Sequence, residues 1–144
     1  MIDVDHIEDT MTDLIKTNVD GVKTVGAYEA EYDQQQITQM LVLSPFVLVY
    51  YDSMTPDENS RLQSYETGVV EQEFAFVVGS KSFRSRREAQ VGCYGILKAL
   101  RTLFNGTTLT VDAQNIGIGL AGERFLDNFN GLVVYEARYR IFQM

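Results

Sequence analysis

The stretch Leu132–Phe142, "LVVYEARYRIF", carries the clearest periodicity in the chain. Val133, Tyr135, Ala137, Tyr139 and Ile141 recur at every second position, with Glu136, Arg138 and Arg140 between them. A period of two puts the first set on one face of a strand and the second on the other. Such alternation predicts a half-covered antiparallel strand, its apolar side toward a core and its charged side toward water or a partner. A second strand over 69–78 has the same character, with Val70, Phe74, Phe76 and Val78 on one face and Glu71 and Glu73 on the other. Phe46–Tyr51, "FVLVYY", is instead continuously apolar, which predicts a central strand.

Around these strands the apolar spacing changes to that of a helix. Ile7, Met11, Leu14 and Ile15 predict an amphipathic helix over 5–18. Ala89, Cys93, Ile96, Leu97, Leu100, Leu103 and Phe104 predict a long helix over 84–104, closed by Gly106. Gly92 and Gly95 lie inside it and cost roughly 1 kcal/mol each relative to alanine. Both are therefore expected where the helix closely approaches the sheet. A short strand over 22–29, a helix over 34–43 broken before Pro45, and a polar loop "DSMTPDENSR" over 52–61 complete the series. The resulting order predicts an α+β fold: a mixed, mostly antiparallel sheet with helices packed on one face, in a single domain spanning 1–144.

Composition narrows the function classes. Hydrophobic residues make up 45% of the 144, with eight Tyr and eight Phe, enough for a packed core. No apolar run approaches the roughly 18–20 residues of a membrane span, and the acidic start "MIDVDHIEDT" lacks the layout of a signal peptide. A single cysteine, Cys93, allows no internal disulfide framework and fits a reducing cytoplasm. The net charge of -8 disfavours tight binding to nucleic acid.

Two glycine motifs mimic nucleotide sites. Gly117-Ile118-Gly119-Leu120-Ala121-Gly122 has G-x-G-x-x-G spacing, but no buried strand reads before it and no crossover helix after it. The expectation is a mobile glycine-rich loop without a ligand, followed by a turn marked by Asn128, Asn130 and Gly131. Gly79-Ser80-Lys81-Ser82 resembles a phosphate loop, yet that loop's first glycine would fall on Phe74 and its lysine on Ser80.

Catalytic candidates are equally thin. His6 and Asp9 could share a helix face, but two ligands do not make a metal centre. Cys93 sits on the apolar stripe of the long helix, the place of a packed core thiol. Neither catalytic nor metal nor cofactor-binding residues are assigned, and the expectation is a protein that is not an enzyme.

One charge pattern stands out. Lys81, Arg84, Arg86 and Arg87 gather where the long helix begins, the end at which positive charge is disfavoured. On an acidic chain, such a cluster can meet the carboxylates of an identical copy. Glu71 and Glu73 are the nearest complementary charges in sequence, so these six residues form the expected subunit interface.

The segment "VVEQEFAFVVGSKSFRSRREAQVGCYGILKALRTLF" resembles a family of Mu-like phage and prophage tail-completion proteins. The resemblance rests on Glu71, Glu73 and Phe74 in the strand, Gly79 to Phe83 in the loop, Arg84, Arg86 and Arg87 at the helix start, and Gly92, Tyr94, Gly95, Ile96 and Leu97. It implies a tail terminator of contractile-tailed phages, a small α/β protein whose ring, typically of six copies, caps the tail tube and joins the head. It further implies tail tube, sheath and head-completion proteins as partners, and a place in the virion tail after assembly in the host bacterial cytoplasm. Neither a membrane nor sequence-specific nucleic acid is expected as a partner. A head–tail connector or minor tail protein is the nearest alternative; a small nucleotide- or metal-dependent enzyme is the more distant one.

Overall fold

The computed structural model describes residues 2–27, 42–56, 70–82 and 84–143. They form helix α1 (Val4–Asn18), strands β1 (Thr24–Ala27), β2 (Phe46–Pro56) and β3 (Val70–Lys81), and helix α2 (Arg86–Phe104). Strands β4 (Thr107–Val111), β5 (Gln114–Phe129) and β6 (Leu132–Gln143) follow. The six strands make one sheet in the order β1-β2-β3-β6-β5-β4. Only β1 and β2 run parallel; every other neighbouring pair is antiparallel. This is the expected α+β class.

Both helices lie on one face of the sheet. The apolar sides of α1 (Ile7, Met11, Ile15) and α2 (Ala89, Cys93, Ile96, Leu97, Leu100, Phe104) share a core with Phe74, Phe76 and Val78 of β3 and with Val133, Ala137, Tyr139 and Ile141 of β6. Phe76, Phe104 and Tyr139 form its aromatic centre, their ring centroids 5.4–5.9 Å apart. Phe46 and Leu48 of β2, with Val77, Leu132 and Val134, form a second apolar cluster. Because neighbouring side chains alternate across a sheet, β2 is buried on both faces, as its unbroken apolar run predicts.

Two glycines have steric reasons. Gly79 pairs with Phe46 across β2 and β3, and a Cβ on Gly79 would lie 2.2 Å from that ring. Gly92 of α2 lies over β3, where a Cβ would meet Ser80 Oγ at 2.3 Å and Ser80 Cβ at 3.1 Å. Gly95 does not share this role. A Cβ there meets nothing within 4 Å, so the expected close contact at Gly95 is corrected: it faces open space.

Two further expectations change. The Gly117–Gly122 segment is not a loop; it lies inside β5, paired with β6 along its length and with β4 at Gly117 and Ile118. Ile116 and Ile118 point into the core while Gly117 and Gly119 alternate with them, so the glycines occupy the outer face of a strand. The polar segment after Tyr51 continues β2 as far as Pro56. Of the predicted 34–43 helix, 34–41 lies outside the described residues. The turn at Asn130-Gly131 holds: Phe129 pairs with Leu132, and both turn residues have positive φ, 52° and 81°. That combination is the two-residue hairpin turn whose twist matches the flanking strands.

Candidate functional site

The connection from β3 into α2 is built by short polar residues. Ser85 caps α2, its hydroxyl accepting the Glu88 N–H at 3.1 Å. Glu88 in turn accepts from the Ser82 hydroxyl at 2.8 Å, and the Ser82 N–H donates to Gly131 O at 3.0 Å. This satisfies donors that a helix start leaves free and fastens it to the β5–β6 hairpin. Arg84, Arg86 and Arg87 stand exposed on the fastened corner, and none of the three makes an ion pair among the described residues.

Two of these arginines lie over aromatic rings. The Arg86 guanidinium is 5.4 Å from the Phe125 ring centroid, and that of Arg87 is 5.9 Å from Tyr94. Tyr135 joins the two rings edge-on, with centroids 5.6 Å from Phe125 and 5.8 Å from Tyr94. Its hydroxyl donates to that of Tyr94 at 3.4 Å. That hydrogen bond, with partial burial, pushes the Tyr135 phenol up to about 12. Phe125 is 44% exposed, Tyr94 40% and the neighbouring Val91 52%. Three exposed cations beside exposed aromatic and aliphatic surface make a patch suited to protein contact, since Arg and Tyr are enriched where interfaces bind most tightly.

The sheet face away from the helices carries a different charge cluster. Arg138 donates through Nε to Glu73 at 2.7 Å, through one terminal nitrogen to Glu136 at 3.1 Å and through the other to Asp52. Glu136 also receives Arg124 Nε at 3.2 Å and the Tyr50 hydroxyl at 2.7 Å. These bonds, the one to Glu73 foremost, raise Arg138 above the usual guanidinium value, while burial and then Glu136 push Tyr50 up to about 12. Glu136, expected to face water or a partner, is 3% exposed. A buried carboxylate is tolerable here because three donors reach it. These bonds tie β2, β3, β5 and β6 together through Tyr50 and Asp52, Glu73, Arg124, and Glu136 and Arg138.

The six interface residues expected from sequence are therefore divided. Arg86 and Arg87 join the aromatic patch, Arg84 lies beside them, and Lys81 is half-buried at the end of β3. Glu71 and Glu73 are taken up within the chain, by Arg140 at 2.9 Å and by Arg138. Sequence reasoning missed Phe125 and Tyr135 as surface groups. Tyr94 offered a signal, being an aromatic residue off the apolar stripe of α2.

The remaining candidates resolve simply. Cys93 is buried, donates to Val133 O at 3.2 Å, and burial pushes its thiol up to about 12, the opposite of an activated nucleophile. His6 does not pair with Asp9; its Nδ1 lies 2.6 Å from Asp112 Oδ2 in the β4–β5 turn. Asp3, Asp5 and His6 come within 4.8 Å of one another on the exposed surface, but His6 is already engaged by Asp112. No helix among the described residues is long and apolar enough to cross a membrane.

A protein-family model described as "Bacteriophage Mu, Gp37" matches residues 3–127, most of the chain. No curated protein matches it.

Proposed function

The chain belongs to the bacteriophage Mu Gp37 family, and from that premise we propose that it is a tail terminator. In this reading, a ring of six copies caps the tail tube, stops its polymerisation and presents the surface to which the head joins. Family membership supports the coarser part, a structural protein of a Mu-like phage. The observation that carries the finer part is the arginine–aromatic patch at the start of α2. It combines three cations that make no ion pair among the described residues with exposed Phe125 and Tyr94, the composition of a protein-binding surface. A terminator requires such surfaces toward its own copies and toward the tube. The net charge of -8 is compatible with a lumen through which DNA passes without adhering.

Deleting the gene from the phage and measuring tails by electron microscopy tests the proposal. Tails of uncontrolled length that carry no heads are expected, with uniform length restored from a plasmid copy. Tails of normal length that fail to join heads would make the protein a connector instead. Normal, head-bearing particles would remove it from tail completion altogether.

A further inference from the structure

The arginine patch has a counterpart at the opposite end of the same chain. Asp5, Asp9 and Asp13 recur at every fourth position of α1, so they line one side of that helix. All three are exposed, and none ion-pairs among the described residues. Asp3, at the N-cap position, is also exposed and makes no side-chain capping bond. Like charges at four-residue spacing repel one another; the helix dipole offsets this for Asp5 in the first turn, and the repulsion remains between Asp9 and Asp13. Three arginines at the positive end of the α2 dipole are unfavourable for the parallel reason. Each group lacks what the other supplies.

The start of α1 and the start of α2 stand far apart within one molecule. The β5–β6 hairpin, which fastens the start of α2, opens β6 at Leu132. The start of α1 is tied to the other end of that strand, where the Ile2 N–H donates to Gln143 Oε1 at 2.9 Å. The twelve residues of β6 span about 36 Å at the rise of an antiparallel strand. Asp5, in the first turn of α1, is thus at the opposite pole from the arginine corner, and Asp9 and Asp13 follow it along the helix. Glu71 and Glu73 do not supply the missing charge, because Arg140 and Arg138 of their own chain hold them.

We infer that Arg84, Arg86 and Arg87 of one copy dock on the acidic row Asp5, Asp9 and Asp13 of the next, head to tail. Joining unlike surfaces of successive copies is the arrangement that closes into a ring when the rotation allows; an antiparallel two-fold pair would join the same unlike poles, and the assembled mass read by sedimentation separates the two. Phe125, Tyr94 and Val91 supply apolar surface to the contact. Phe142, 46% exposed, lies at the acidic end of β6. The inference rests on the terminator reading only for the ring's position on the tail; the pairing of the two surfaces stands on charge and geometry.

Charge exchange tests it. One variant carries Arg84→Glu, Arg86→Glu and Arg87→Glu; the other carries Asp5→Lys, Asp9→Lys and Asp13→Lys. Circular dichroism and unfolding midpoints establish that each is folded, and Asp5→Asn with Asp9→Asn replaces the second should it fail. Self-association is read by sedimentation at high protein concentration and low salt, and capping by tail length in phage lacking the gene. Each variant alone should lose at least about tenfold in self-association, equivalent to 1.4 kcal/mol, and should fail to cap tails. An equimolar mixture should recover both, because a copy with two negative poles then alternates with a copy with two positive ones. With the Lys variant, loss in both without recovery in the mixture would overturn the pairing, and undiminished association of any variant, the Asn one included, would overturn it as well. Normal tails in phage lacking the gene would refute the terminator reading alone and leave the sedimentation result to judge the interface.

Discussion

Gly92 and Gly95 occupy interior positions of the same helix, yet the structure gives them opposite fates on substitution. Replacing either by alanine removes the conformational freedom that glycine enjoys in the unfolded chain, a gain of about 0.8–1.0 kcal/mol in a helix interior. At Gly95 nothing opposes that gain, since a Cβ meets no atom within 4 Å. At Gly92 the new methyl would lie 2.3 Å from Ser80 Oγ and 3.1 Å from Ser80 Cβ. Rotating the serine hydroxyl relieves the first contact but not the second, because Ser80 Cβ is held by the backbone of β3, which pairs with Val133 of β6 at this position. Overpacking of this size costs about 1–3 kcal/mol. The propensity term is common to both variants, so their difference isolates the contact. Gly95→Ala should be stabilised by nearly 1 kcal/mol, and Gly92→Ala should fall about 1–3 kcal/mol below it. In thermal unfolding each kcal/mol moves the midpoint by about 2–4 °C for a chain of this size. Adding Ser80→Ala to Gly92→Ala removes the nearest atom and should recover part of the loss, a coupling absent when it is added to Gly95→Ala. Equal midpoints for the two alanine variants would show that α2 does not approach β3 at Gly92.

Two further outcomes follow from the ion pairs. The hydrogen bond and charge of Asp112 raise the His6 pKa above its ordinary 6.5, so the contribution of this contact is complete below that value. It fades as pH rises through the raised folded-state value; an imidazole titration followed by NMR should fall back toward 6.5 in Asp112→Asn, and an unchanged titration would refute the contact. Arg138→Leu strands Glu73 and Asp52 while leaving Glu136 with Arg124 and Tyr50, and should cost about 1–3 kcal/mol in urea unfolding. Arg140→Ala breaks a more exposed pair with Glu71 and should cost less than about 1 kcal/mol; equal losses would deny Arg138 its role as the hub of that face.

The sequence by itself determined those elements in which side-chain period and burial agree. The alternation of Val133 through Ile141 and the spacing of Ala89 through Phe104 each admit one secondary structure, because the apolar set falls on a single face only at that period. The unbroken run Phe46–Tyr51 likewise had to be a strand buried on both sides. Tertiary structure decided the rest wherever local preference and pairing disagree. Gly117, Gly119 and Gly122 weaken a strand locally, but β6 pairs with all three and β4 also pairs with Gly117, so β5 continues, with one register shift between Leu120 and Gly122, through glycines that read as a loop. The alternation of Ile116, Ile118 and Leu120 was present all along, hidden by residues that contribute no side chain to the pattern. Charge was the least legible property. The partner of Glu73 is Arg138, 65 positions away, and that of His6 is Asp112, 106 positions away. Which carboxylates are satisfied within the chain depends on strand order, and a charge's sequence neighbours do not record it. Strand order likewise set Arg86 over Phe125 and Arg87 beside the Tyr94–Tyr135 pair, turning a run of basic residues into a surface with a shape.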